Sequence, residues 1–257
     1  MEKTAENAAA WALLARVEDI YAEILGDLVG IYVHGSLAFG CFQWERSDLD
    51  FIVVVEEPPA LTEKEALIAA LLCLTKAAPP KGLEMSVVLR RDCQNVTHPT
   101  PFALHFSPAH EAKCRANLRE FCRNMQGRDG DLAAHFTVIR EVGIVLRGEA
   151  KETVFGPVPR VAYLDSILAD IGDAARGIAT DPVYYTLNLC RVLAYLREGR
   201  VLSKREGGCW GLEQLPRYRP VLEAALRDYA GGAGAWPETG VLQAFAAEVL
   251  AAIRTEA

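Results

Sequence analysis

Two acidic side chains, one residue apart at the mouth of an apolar strand, constrain this chain more than any other feature. The stretch from Ile31 to Val55 reads IYVHGSLAFGCFQWERSDLDFIVVV. Ile31 to Val33 is expected as a short strand entering a turn at Gly35-Ser36, and Leu49 to Val55, rich in β-branched residues, as a buried strand. Asp48 and Asp50 stand at the start of the second strand. A strand repeats with a period of two, so both carboxylates project from one face and can share a cation. Two anions placed together repel unless positive charge lies between them. A hard divalent ion such as magnesium takes oxygen ligands and keeps room for substrate phosphates. Gly35 lets the backbone approach a phosphate closely, and Ser36 offers a hydroxyl and an amide donor. A hairpin with Ser-Asp turn chemistry explains the same residues without a metal.

Glu84 weighs against the hairpin alone. It precedes Met85 to Leu89, which reads as another core strand, so it is either an edge residue facing solvent or part of a site. With Asp48 and Asp50 it makes three acids at strand starts. Such a set can hold metal and can also take a proton from an attacking hydroxyl.

These residues fall into a known pattern. GSLAFG, then SDLDFIVVV, then LEMSVVL resembles the DNA polymerase β-like nucleotidyltransferase superfamily, whose signature is Gly-Ser, Asp-x-Asp and a third acid on a later strand. DPVYYTLNLCRVLAYLREGRVLSKREGGCWGLEQLP, residues 181–216, is similar to the C-terminal domain of the aminoglycoside 3''- and 9-adenylyltransferases. The resemblance implies an α+β fold. Residues 1–157 would form a nucleotidyltransferase domain with a mixed β-sheet and flanking helices, and residues 158–257 an α-helical bundle that binds substrate and nucleotide.

The implied reaction is transfer of AMP from ATP to a hydroxyl of a small cationic antibiotic, an aminoglycoside or aminocyclitol. Asp48, Asp50 and Glu84 would hold two magnesium ions, and Glu84 would also meet the acceptor and take its proton. Gly35 and Ser36 would cradle phosphates, with Arg191 and Lys204 neutralising their charge. Asp181 lies ten residues before Arg191, as an antibiotic-binding aspartate does in the resembled family. Standing before Pro182, it is equally suited to cap a helix. PFALHFS, residues 101–107, resembles a block leading into the substrate cleft. Better-known members have a stacking tryptophan shortly after it where this chain reads SPAH. Nucleotidyl transfer to a protein or RNA end, and an inactive nucleotide-binding module, are the alternative readings.

Composition narrows the setting. With 257 residues, 51% of them hydrophobic, the chain can build one large core or two modest ones. Its 27 basic against 34 acidic residues give a net charge of -7, which is no footprint for a nucleic-acid backbone but leaves room for polycationic small substrates. The seven cysteines are odd in number and scattered without a CxxC pair, which argues for a reducing compartment and against disulfides or structural zinc. The start, MEKTAENAAAW, lacks the basic cluster and apolar run of a signal peptide, and apolar stretches such as Ala66 to Leu74 are too short to span a membrane. A cytoplasmic monomer is expected.

Along the chain, Trp11, Leu14, Val17, Tyr21, Ile24 and Leu25 recur at helical spacing and predict a helix that covers the sheet. Thr62 and Glu65 suit a capping box for a helix through Leu74, giving a βαβ-like unit before the Glu84 strand. Arg90 to His110 reads as irregular, and its histidines as packing residues. Asp131 through Arg147 reads as one helix, with His135 as packing. Gly148 to Pro159 reads as the domain boundary. Beyond it, Val161 to Ile171, Val183 to Arg197, Val221 to Tyr229 and Val241 to Ile253 read as helices of a compact bundle.

Overall fold

The computed structural model describes residues 5–257 and divides into two units, residues 1–163 and 164–257. The first contains strands β1 (Leu28–Val33), β2 (Leu49–Val55), β3 (Leu83–Leu89), β4 (Thr100–Phe102), β5 (Leu104–Phe106), β6 (Gly127–Asp129) and β7 (Ile144–Gly148). Its helices are α1 (Ala5–Ile24), α2 (Gly35–Ala38), α3 (Leu61–Leu74), α4 (Arg90–Gln94), α5 (Glu111–Ala116), α6 (Leu118–Asn124), α7 (Leu132–Val142) and α8 (Lys151–Val154). The division falls within α9 (Arg160–Ala169). The second unit holds α10 (Ala174–Gly177), α11 (Pro182–Glu198), α12 (Lys204–Gln214), α13 (Arg219–Tyr229) and α14 (Thr239–Glu256).

The main sheet runs β5-β3-β2-β1-β7, with β2 and β3 parallel and the other neighbours antiparallel, so it is mixed. The parallel pair needs a crossover, and α3 supplies it. Alternation along the strands sorts side chains to two faces. Ile31, Val33, Phe51, Val53, Met85 and Val87 pack in one core with Leu14, Val17 and Tyr21 of α1 and Leu67 and Leu71 of α3. Tyr32, Ile52, Val54 and Val88 point the other way and pack with Leu132, Phe136 and Ile139 of α7 and with Phe155. Asp50 is two residues before Ile52 and Glu84 four before Val88, so both carboxylates belong to the α7 face.

Three local expectations change. The start of α3 is held two residues earlier than Thr62 and Glu65 suggest, with the Ala60 N–H donating to Glu63 Oε2 at 2.6 Å. Asp131 to Arg147 is not one helix: α7 ends where the Gly143 N–H bonds to the Ile139 carbonyl, and Ile144–Gly148 becomes β7, antiparallel to β1. IVL fits either period, and the unfilled edge of β1 offers its hydrogen bonds to the extended form. Arg90 to His110 is more ordered than expected, since β5 pairs with β3 and β4 with β6.

In the second unit α11 is central, with Leu187, Leu189, Cys190, Val192, Leu193 and Ala194 buried. Asp181 caps its start, Pro182 occupies the first turn, and Gly199 ends it at φ 68° in the left-handed region. The helix α12 is rich in glycine yet held by packing. A Cβ at Gly207 would lie 2.6 Å from Arg191 Cγ, and one at Gly211 would lie 2.7 Å from Cys190 Sγ, so a larger residue would force α12 away from α11. Its start is secured by a capping box: the Glu206 N–H donates to Ser203 Oγ at 3.1 Å, and the Ser203 N–H to Glu206 Oε2 at 2.8 Å. Ser203→Ala should lower unfolding free energy by about 1 kcal/mol, whereas Ser203→Asn, which can still cap, should lose much less. Urea unfolding of the two full-length variants beside the parent reads the difference.

Candidate active site

The site grows from the β2–β3 register. Parallel pairing sets Asp50 beside Glu84, with Leu49 beside Leu83 one step earlier. Asp48 lies two residues before Asp50 and faces the same way. The result is a cluster in which Asp48, Asp50 and Glu84 each present a ligand atom, all within 4.8 Å of one another and half-buried. The donor set is oxygen alone, and magnesium binds such ligands at about 2.1 Å, so small side-chain rotations close the cluster on a hard cation. The residues therefore fit the ion that the sequence implied.

Beside the acids, the chain leaves β1 through His34 into α2. The His34 N–H donates to the Asp50 carbonyl at 3.0 Å, which ties the turn to β2. Gly35 has φ 61°, and a Cβ there would sit 1.9 Å from Asp50 Oδ2. Only glycine lets the turn come this close to the carboxylate. The Ser36 hydroxyl is buried with no hydrogen-bond partner among the described residues. An orphaned hydroxyl beside three carboxylates fits a place where a ligand completes the bonding.

Burial pushes the Glu84 carboxyl above its ordinary value. His135 opposes that shift, while Asp48, Asp129 and Asp131 add to it. A carboxyl with raised proton affinity suits a group that must accept a proton. His135, Asp129 and Asp131 were not singled out for this site from the sequence, although the Asp-Gly-Asp run and a histidine one turn into α7 were visible there. His135 does pack, its ring centroid lying 4.6 Å from that of His34, but its Nδ1 is buried without a hydrogen-bond partner among the described residues. Of the histidines in the irregular segment, His105 Nδ1 lies 2.9 Å from Ser86 Oγ, and His110 packs on Phe121 at 5.6 Å. The segment that would carry a stacking tryptophan in the resembled family is thus a short 3-10 turn, Pro108–His110.

The remaining sequence-predicted residues lie in the second unit. Asp181 is exposed and accepts the Tyr184 N–H at 3.0 Å, so the capping role is realised. Lys204, in the first turn of α12, places its ammonium 5.0 Å from the Tyr184 ring centroid. Arg191 donates through Nε to the Leu202 carbonyl and through Nη1 to Asn188 Oδ1, both at 2.8 Å. It therefore fixes the segment leading into Ser203 and Lys204.

The family described as aminoglycoside adenylyltransferase, C-terminal domain, matches residues 153–252. An aminoglycoside (3'') (9) adenylyltransferase of Klebsiella pneumoniae is 27% identical over 236 residues, covering 86% of this chain and 88% of that protein. A spectinomycin 9-adenylyltransferase of Enterococcus faecalis is 23% identical over 225 residues, covering 84% and 85%. Among solved structures, a spectinomycin adenyltransferase from Enterococcus crystallised with ATP and spectinomycin superposes with a TM-score of 0.76 at 20% identity, covering 95% of this chain and 99% of that one. This last likeness is one of fold.

Gly35→Ala should destabilise the chain by more than about 1 kcal/mol, because it combines a positive φ with a collision against a carboxylate. It should also weaken magnesium binding by displacing Asp50. Thermal melts without metal, run beside a magnesium titration, separate the two effects.

Proposed function

We propose that the chain is an adenylyltransferase of the aminoglycoside 3''/9 family, as the match of residues 153–252 and the similarity over 86% of the chain support, and that it transfers AMP from ATP to a hydroxyl of an aminoglycoside or aminocyclitol antibiotic, releasing pyrophosphate. The observation that carries this reading is the cluster of Asp48, Asp50 and Glu84 against the Gly35-Ser36 turn.

Asp48, Asp50 and Glu84 hold magnesium, two ions in this reading. Bound there, the ions supply Lewis acidity and charge neutralisation at the phosphates. The Ser36 hydroxyl and the backbone of the α2 turn donate to phosphate oxygens of ATP. Lys204 adds positive charge, and Arg191 contributes both charge and the placement of Lys204. The acceptor hydroxyl oxygen attacks the α-phosphorus, its proton passes to Glu84, and the bond from the α-phosphorus to the pyrophosphate oxygen breaks. Asp181 receives an amine or guanidinium of the acceptor with the carboxylate oxygen not engaged by the Tyr184 N–H. Glu84 also borders the acceptor.

Glu84→Gln preserves size and removes the anion that accepts the proton. It should keep nucleotide binding and lose turnover by about 10²- to 10⁴-fold. Steady-state rates at saturating substrates test this, and turnover within about twofold of the parent would remove Glu84 from the role.

Asp48→Asn and Asp50→Asn nearly conserve volume while deleting a hard oxygen anion. Each should weaken magnesium-dependent binding of a nonreactive ATP analogue more than it lowers the metal-free melting temperature. A magnesium dependence equal to the parent's would show that the altered carboxylate is not a ligand.

For the acceptor, the 3-10 turn at Pro108–His110 brings no flat stacking wall of the kind a tryptophan gives, and His110 is engaged with Phe121. Spectinomycin, compact and recognised mainly by polar contacts, should therefore be modified faster than streptomycin. Asp181→Asn keeps the cap and should weaken acceptor binding, measured by calorimetry, while ATP affinity stays near the parent value.

A further inference from the structure

The stacked histidines, His34 buried and His135 half-buried, take no step in the transfer derived above, and His135 touches on it only by lowering the raised proton affinity of Glu84. His34 is 5% exposed and directly precedes the Gly35-Ser36 turn, while His135 projects from α7, the helix that covers the same face of the sheet as Asp50 and Glu84. Their rings lie 4.6 Å apart at 35°. Burial, with His135 next, holds the His34 imidazole well below its ordinary basicity, so His34 is a neutral ring in this stack.

As mere filling, the pair is expensive. His135 Nδ1 is buried without a hydrogen-bond partner among the described residues, a cost that a leucine or phenylalanine would not incur. The other unpartnered buried atom nearby in the chain is the Ser36 hydroxyl, two residues after His34, and α2 and α7 touch. The turn itself has one backbone tie to β2, through the His34 N–H and the Asp50 carbonyl, and a left-handed residue immediately afterwards. On the α7 side the His135 ring packs against that of His34.

We propose that His135 is a positioning residue for nucleotide binding: stacked on His34, it holds the Gly35-Ser36 turn in the conformation that receives the phosphates of the nucleotide. The inference rests on the adenylyl-transfer reading, because it takes the turn to be the phosphate cradle. It assigns His135 no contact with substrate and no proton transfer. The aromatic face is the working part of the side chain, and the ring nitrogen is dispensable.

The test is calorimetric binding of magnesium with a nonreactive ATP analogue to the full chain, with melting temperatures recorded without metal. His135→Ala and His135→Leu should each weaken the analogue about tenfold, and His135→Phe, which keeps a ring, should stay within about threefold of the parent. If His135→Ala does not fold, the leucine and phenylalanine variants carry the comparison, since both fill the space and only one offers a ring face. In a Ser36→Ala background the loss from His135→Ala or His135→Leu should largely disappear, because both changes act on the same turn. Parental affinity in the leucine variant, a phenylalanine variant as weak as leucine, or a full additive loss on top of Ser36→Ala would overturn the proposal. A parent chain that fails to bind the analogue would instead overturn the adenylyl-transfer reading beneath it.

Discussion

Everything proposed for this protein depends on one register. Parallel pairing of β2 with β3 brings Asp50 level with Glu84, and the period of the strand adds Asp48 to the same face. Like charges this close repel by on the order of a few kcal/mol at the effective dielectric of a protein surface. The fold tolerates them because the apolar residues that follow on both strands hold the register from below: Ile52, Val54 and Val88 on the α7 face, Phe51, Val53, Met85 and Val87 on the other. Both faces of β2 and β3 are buried beyond the acids, so a slip by one residue would carry the carboxylates of β2 to the α1 and α3 face and part Asp50 from Glu84.

The second unit solves a different problem, that of presenting exposed charge from a fixed place. Lysine is flexible, and its position is set by what precedes it. Arg191 binds the Leu202 carbonyl, the Ser203–Glu206 capping box starts α12, and the glycines of α12 let it approach α11 closely enough for Arg191 to pass beneath. Lys204 then rests over Tyr184, whose own N–H is capped by Asp181. Residues that read as separate functional candidates are thus parts of one arrangement at the starts of α11 and α12.

The acidic site was legible in the sequence because strand period and β-branched content are local signals: Asp48, Asp50 and Glu84 needed only three short apolar runs to be placed. The mixed sheet was legible mainly through the family resemblance, whereas the helices of the second half were read from the residues themselves. What local pattern could not give was the switch from α7 to β7, because Ile144 to Leu146 suits a helix as well as a strand until the open edge of β1 is known. Nor could it give the helix α12, whose glycines argue against a helix until α11 is packed on them. His34 and His135 are about a hundred residues apart in sequence, and their stack exists only once α7 lies on the sheet. Asp129 and Asp131 act on Glu84 for the same long-range reason.

Adenylyl transfer to an antibiotic hydroxyl is the work proposed for the acids of β2 and β3. The most direct test incubates the full chain with ATP, magnesium and either spectinomycin or streptomycin, and reads product mass together with released pyrophosphate. The expected result is an antibiotic carrying one added AMP, one pyrophosphate per product, and no product when magnesium is removed by a chelator. An unmodified antibiotic across both acceptors in a chain that binds magnesium and ATP, or product formed at an undiminished rate without divalent metal, would contradict it.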